Sequence, residues 1–409
     1  GGPLDRSGEG GVDAARRLAL DLRQGALAIQ GPPGSGKTFT GARMICDLVR
    51  AGRKVGVCAV SHKVIRNILR EVVRASKEDG VPISCLQKTE DIAEDGIAVA
   101  NDNGAVLGAL RSGQARVAGG TAWMWAREDF SEAVDVLFVD EAGQMSLANV
   151  LAIAGTARSL VLLGDPRQLE QPIKGSHPEG TAVSALEHML EGRMTIAHDR
   201  GLFLEETWRL PPEICTFTSE LFYEGRLQAH AGPGSQVLSG VGRFDGAGLW
   251  FVPVYHDANQ SSSREEVEAV AALMESLLHP EARWRDVAGE RRTLRLEDIL
   301  VIAPYNAQVA DLTARLPKGA RVGTVDRFQG QEAPVVIYSL TTSSPEDAPR
   351  GMEFLYNPNR LNVATSRARC SCIVVGNPRL FAPDCLSPRQ MKLANAFCRM
   401  FEMSRVLAM

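Results

Sequence analysis

No run of apolar residues in this 409-residue chain approaches the roughly eighteen that a membrane helix needs. The N-terminus, Gly1-Gly2-Pro3, lacks the basic segment and apolar stretch of a signal peptide. No membrane partner is therefore expected, and a cytoplasmic location follows by default. A starting methionine is missing too, as in a cloning remnant or a cut into a longer protein. The eight cysteines are scattered without a C-x-x-C pair, so the common zinc frameworks have no counterpart and reduced thiols are expected. Cys370 and Cys372 would share one face of an apolar strand, where two small buried side chains are a simpler account than a metal site. An excess of positive charge is absent as well: 45 Lys and Arg against 49 Asp and Glu leave a net charge of −4. Any nucleic acid must then lie in a locally basic groove.

What is present begins with Gly31-Pro32-Pro33-Gly34-Ser35-Gly36-Lys37-Thr38. The pattern G-x-x-x-x-G-K-T follows the apolar run Ala26–Ile29 and precedes a helix-compatible stretch from Phe39 to Arg50, the strand–loop–helix context that a phosphate-binding loop requires. Glycines let successive N–H groups point at a phosphate, and the helix start adds its positive dipole end. Lys37 would reach the β- and γ-phosphates of ATP, Thr38 would ligate Mg²⁺, and Thr40 is grouped with the loop as a nucleotide contact. A second apolar run, Val136–Val139, ends in Asp140-Glu141. There Asp140 would hold the Mg²⁺ shell, and Glu141 would orient the attacking water and accept its proton; the plainer reading is a helix cap. A third, Leu160–Leu163, leads to Gln168, placed to touch the γ-phosphate.

Length and composition suit two domains: 44% hydrophobic and 23% charged residues are ordinary for a globular chain too long for one core. Strand and helix alternate through both halves, which predicts an α/β fold of two doubly wound parallel sheets. Residues 1–12 are glycine-rich and polar, and are expected to be mobile. The first domain is expected over 13–202, with a small insertion at about 76–116, and the second over 203–409. Ser61 and His62 fall at the carboxyl end of a strand, where ligands bind in such sheets, although, taken alone, a helix cap and a solvated loop residue are the simpler account of them. Trp123, Trp125 and Arg127 follow a strand that ends at Thr121; exposed, the tryptophans could stack on bases, and buried they would be core.

The ordered stretches GPPGSGKT, DEAGQ, GDPRQL, ETWRLPPEI, TVDRFQGQE and LNVATSRAR resemble those of superfamily 1 helicases, specifically the 1B group that includes the nonsense-mediated-decay helicase. The resemblance implies two tandem RecA-like domains, with Arg209 and Arg367 as arginine fingers reaching the γ-phosphate from the second domain. It also implies a ribose contact at Glu332 and a phosphate contact at Gly330. Contacts to single-stranded nucleic acid, DNA slightly favoured over RNA, are implied at Ser61, His62, Thr121, Pro304, Tyr305, Thr324 and Arg327. Movement would be 5′ to 3′ by a monomer. Ser61-His62-Lys63 and the tail from Asn377 to Arg399 are most similar to bacterial proteins that fuse a RecB-like nuclease to such a motor, which would put a nuclease domain N-terminal to Gly1.

Two features depart from that family. Relatives carry an adenine-reading glutamine about seventeen residues before the loop, whereas Asp13-Ala14-Ala15-Arg16 stands here, so either the local path differs or adenine selection is relaxed, with ATP still the expected substrate. The insertion at 76–116 is shorter than the barrel some relatives carry, so translocation is expected more firmly than duplex unwinding. Two rivals stand beside the motor. One is an ATP-switched binding module for nucleic acid or a protein, which has no need of Glu141 or finger arginines. The other is a nuclease built on Pro383-Asp384 and Gln390-Met391-Lys392, against which Gln390–Glu402 reads as an amphipathic helix.

Overall fold

Ala26-Leu27-Ala28-Ile29-Gln30 is buried at its last four residues, as a central parallel strand covered on both faces must be. A computed structural model describes residues 2–169 and 183–407, and these divide into two units. One holds 2–166 and 183–205, the other 167–169 and 206–407. Each has its own apolar core.

In the first unit the chain runs α1 (Gly11–Asp21), β1 (Ala26–Gln30), α2 (Lys37–Arg50), β2 (Val55–Cys58), α3 (His62–Glu78), β3 (Cys85–Lys88), β4 (Ile97–Ala100) and α4 (Asn103–Ser112). It continues through β5 (Val117–Gly119), α5 (Ala122–Trp125), β6 (Val134–Val139), α6 (Leu147–Ile153), β7 (Ala157–Gly164), α7 (Ala185–Leu190) and β8 (Gly201–Phe203). The eight strands form one sheet in the order β4-β3-β5-β2-β6-β7-β1-β8, with every neighbouring pair parallel. Helix α3 shows why these segments pack as they do. Ile65, Ile68, Leu69 and Val72 recur at helical spacing and are buried, which ties the helix to the sheet.

Residues 76–116 are continuous with this sheet, adding β3, β4 and α4 at its edge. Their strands escape sequence reading because they are short and half-covered: Cys85 and Gln87 are buried while Leu86 and Lys88 are partly exposed. The polar N-terminal stretch, expected to be mobile, is held at several points. Leu4 N donates to His198 O at 2.8 Å, and Arg17 binds both Leu4 O and the Glu9 carboxylate. Gly1 lies outside the described residues.

The second unit runs β9 (Glu206–Thr207), α8 (Pro212–Phe222), β10 (Gln228–Ala229), β11 (Leu238–Ser239), β12 (Gly248–Pro253), α9 (Arg264–Leu277), β13 (Arg283–Arg285), β14 (Arg291–Thr293) and β15 (Ile299–Ile302). Then come α10 (Asn306–Arg315), β16 (Arg321–Gly323), β17 (Ala333–Ser339), α11 (Met352–Leu355), α12 (Pro358–Thr365), β18 (Ala368–Gly376), α13 (Pro388–Met403) and β19 (Arg405–Val406). Its main sheet has the order β16-β15-β17-β18-β12-β19, again all parallel. Cys370 and Cys372 are fully buried in β18, where burial pushes both thiols up to about 12. Lys392 lies on α13, not on a strand beside Asp384 as the nuclease pattern would need. Among the described residues no helix is long and apolar enough to cross a membrane.

Arg167–Leu169 pack with the second unit, whereas the sequence division at 202/203 assigns Gln168 to the first. The reason is a pair of long-range bonds: Asn362 Nδ2 donates to Arg167 O at 2.7 Å and Arg367 Nη2 to Gln168 Oε1 at 3.2 Å.

Candidate nucleotide and strand sites

The phosphate loop is fastened where it leaves β1, since Gly31 N donates to Gly164 O of β7 at 2.9 Å. Gln30 turns its side chain away, giving its Nε2 proton to Met194 O and accepting from Ile196 N. A Cβ on Gly31 would stand 2.2 Å from Lys37 Cγ, so no other residue fits beneath the lysine. Gly34 and Gly36 have φ of +74° and +79°, a backbone that side chains with a Cβ avoid. Lys37 Nζ lies over the loop, donating to Gly31 O and, at 3.4 Å, to Pro32 O. Pro32 and Pro33 are buried and Thr38 is half-buried. Ser35 Oγ and Thr40 Oγ1 are buried without a hydrogen-bond partner among the described residues, a state that costs about 1–3 kcal/mol per group and that a ligand's polar atoms would relieve.

Strand β6 delivers Asp140 and Glu141. Asp140 is 4% exposed; its N donates to Cys58 O at 2.8 Å, and its Oδ1 accepts from Glu141 N at 2.9 Å. Burial, and then the adjacent Glu141 carboxylate, push the Asp140 carboxyl up to about 7. Glu141 itself sits at φ +54°, an uncommon backbone for a residue with a side chain, and accepts from Gln144 Nε2 at 3.1 Å. Neither acid caps the following helix: Ser146 does, accepting from Asn149 N at 3.2 Å. Two adjacent acids next to a cationic loop, with no capping duty, are what a divalent ion shared with phosphate would use. Among the described residues no cluster of three or more His, Cys, Asp or Glu forms a cation cage by itself.

In the second unit Arg209 Nε donates to the Glu332 carboxylate, whose other oxygen lies 2.8 Å from Arg369 Nη2. Burial alone would raise the Glu332 carboxyl, but the two guanidiniums outweigh it and hold it below the ordinary range. Arg367 is 2% exposed, with Nη1 on Gln331 O at 3.3 Å and Nη2 on Gln168. Gly330 is exposed at φ +74°. Arg209, Glu332, Gln168 and Arg367 are thus linked within one unit through hydrogen bonds, Arg209 Nη1 lying 3.5 Å from Ser366 O next to Arg367.

The sequence-derived strand contacts all follow carboxyl ends of parallel strands. Ser61 and His62 come after β2, Thr121 after β5, Pro304 and Tyr305 after β15, Thr324 and Arg327 after β16. Ser61 does cap α3, accepting from Val64 N at 3.3 Å. His62 O receives Gln87 Nε2 at 3.0 Å, and Gln87 Oε1 in turn receives Arg66, so a residue of β3 braces the start of α3. Thr121 and Thr324 start short helical turns without side-chain capping bonds. Tyr305 is buried, whereas Arg327 is exposed with Nη1 on Val322 O.

Two models of AAA domains match this chain, one over residues 10–191 and the other over 182–379. The Regulator of nonsense transcripts 1 homolog of Drosophila melanogaster is 27% identical over 93% of this chain and 35% of its own length. The DNA-binding protein SMUBP-2 of Mesocricetus auratus is 26% identical over 88% of this chain and 42% of its own. The chain is similar through these matches to the superfamily 1 helicases. It spans well under half of these curated relatives. A solved structure titled as the complex of Arterivirus nonstructural protein 10 (helicase) with DNA covers 89% of this chain and 62% of its own, at 16% identity and a TM-score of 0.47.

Within this helicase fold of two tandem RecA-like sheets, the structure separates the tryptophans that sequence left open. Trp125 is core, its Nε1 donating to Val57 O and Gly120 O at 3.0 Å, while Trp123 is 90% exposed. Trp208, next to Arg209, is half-exposed and stacks on His230 with ring centroids 3.5 Å apart. Arg350, Phe354 and Arg360 carry no local pattern that singles them out, and Arg369 closes the LNVATSRAR stretch without a role read for it from the sequence.

Proposed function

We propose that this chain is an ATP-driven motor that tracks along single-stranded nucleic acid. The observation that carries it is the phosphate loop after β1 together with buried Asp140 and half-buried Glu141 after β6, two strands apart in one parallel sheet. Lys37 and the loop N–H groups bind the phosphates. Thr38 and Asp140 hold Mg²⁺, which when bound neutralises phosphate charge. Glu141 orients the attacking water and takes its proton. Gln168 meets the γ-phosphate, and Gly330 and Glu332 complete the nucleotide contacts.

Arg209 and Arg367 supply positive charge to the transferring phosphoryl only when the second unit closes on the nucleotide, which ties closure to hydrolysis. Ser61, His62, Thr121, Pro304, Tyr305, Thr324 and Arg327 grip phosphates and sugars without reading sequence. Alternate closing and opening shifts the grip and steps the chain 5′ to 3′ as a monomer, with DNA slightly preferred to RNA. Glu141 beside Asp140 favours hydrolysis over a pure ATP switch.

The test is ATP hydrolysis with no polymer, single-stranded DNA or single-stranded RNA, on wild type and Glu141→Gln. Strong stimulation by one polymer, lost on substitution, is expected; hydrolysis indifferent to both polymers would overturn the motor.

A further inference from the structure

A cleft of about 420 Å³ lies wholly in the second unit, past the ends of β15 and β16. One wall is Pro304, Tyr305 and Thr324, already read as strand contacts. The other is Arg350, Phe354 and Arg360, which the motor reading leaves without a role. Phe354 is its centre: the Arg350 and Arg360 guanidinium carbons each stand 4.6 Å from its ring centroid. The Tyr305 ring is 5.5 Å away, tilted by 33°. Arg360 is paired with Asp326 Oδ2 at 3.1 Å, which cancels its charge. Arg350 is exposed and makes no ion pair among the described residues, so the cleft keeps one uncompensated cation on an aromatic stack.

The wall that carries Arg350 is anchored from behind. Glu266 is fully buried and accepts from Ser339 Oγ at 2.6 Å and Thr341 N at 2.8 Å, and His256 Nε2 lies 3.0 Å from its other oxygen. His256 Nδ1 lies 2.7 Å from Ser343 Oγ, and Ser343 Oγ accepts from Asn259 N. Thr341 is held at φ +75°, where a β-branched residue stays only when its surroundings impose it. The polar stretch 341–350 therefore starts from a fixed base, and the segment 259–261 opposite is tied to it through Thr342 Oγ1 on Gln260 O.

A guanidinium lying on an aromatic ring, unpaired and beside a threonine at a strand end, suits a nucleotide: the base face joins the stack and the phosphate meets the charge. We propose that this cleft seats one nucleotide of the bound single strand, Arg350 contacting its phosphate and Phe354 holding the stack under its base. This rests on the strand-binding reading above and adds residues to it.

The experiment measures binding of a fluorescent oligodeoxythymidylate by anisotropy over a salt series, for wild type, Arg350→Ala and Phe354→Leu, with ATP hydrolysis in the absence of polymer as the control for folding. Loss of one stack or one charge should weaken binding about 5- to 100-fold and leave that basal hydrolysis unchanged. Arg350→Ala should also flatten the slope of log affinity on log salt by about 0.7, the value for one phosphate on a single strand, while Phe354→Leu leaves the slope as it is. Wild-type affinity and slope in both variants would overturn this cleft and leave the motor standing. Failure of wild type itself to bind would overturn the strand reading and the cleft with it.

Discussion

Nη2 of Arg367 stands 3.2 Å from Oε1 of Gln168, a contact between residues 199 positions apart. It joins a candidate finger to the candidate γ-phosphate sensor inside a single unit. If Gln168 meets the γ-phosphate, this bond ties its position directly to that of Arg367.

Arg367→Ala should lower polymer-stimulated kcat by about a thousandfold, the low end for removal of an arginine finger. KM for ATP should change far less, because the charge is needed in the transition state rather than in binding. Arg367→Lys should not restore it, since an ammonium cannot keep both Gln168 and Gln331 in a planar fork. Steady-state kinetics decide this, and a kcat within threefold of wild type in the alanine variant would remove Arg367 from the reaction.

Glu332 is shared by Arg209 and Arg369, so its carboxylate is ionised and oriented. If it takes the ribose, wild type should prefer ATP to 2′-deoxy-ATP by about tenfold in kcat/KM, as one charged hydrogen bond of roughly 1.5 kcal/mol implies. Glu332→Gln should then narrow that preference. A preference unchanged by the substitution would leave Glu332 with the single task of placing Arg209.

Gln87 supports α3 from the edge strand β3. Gln87→Leu removes its bond to His62 O and strips the buried Arg66 of an acceptor, so urea unfolding should report a loss of about 1–3 kcal/mol. Stimulation of hydrolysis by single-stranded DNA should weaken as well. His62→Ala should weaken stimulation with little change in stability, and a normal response to DNA in both variants would sever β3 from the strand site.

Glu94 accepts from Arg70 and Arg66, and the Arg70 bond first of all lowers its carboxyl from 4.5 to about 2. The folded state thus holds the proton less tightly than the unfolded chain. Its stabilising contribution is complete above about 4.5 and is lost as pH falls toward 2. Acid titration of stability should be shallower across that window in Glu94→Gln; identical curves would show that the pair contributes nothing to acid resistance.

The phosphate loop and the acid pair were readable because their information is local. Gly31, Gly34 and Gly36 stand where a Cβ or an ordinary φ is excluded, and Asp140 ends a run of buried apolar residues, so spacing along the chain already states the backbone path. The parallel sheets follow from strand–helix alternation for the same reason. β3 and β4 are not legible in the sequence because each is only four residues long and half-covered, β3 buried at alternate residues and β4 at Ile97 alone, too short to distinguish from a loop.

By itself, then, the sequence determined the two sheets, the loop and the carboxylates at a strand end, all properties of neighbouring residues and of backbone geometry. Tertiary structure alone decided that Gln168 packs with Arg367, that Gln87 braces His62, that Trp123 is exposed while Trp125 is core, and that Phe354 gathers Arg350, Arg360 and Tyr305 around one cleft. These depend on contacts between residues far apart in the chain, which leave no period or spacing behind and are chosen only when whole elements pack.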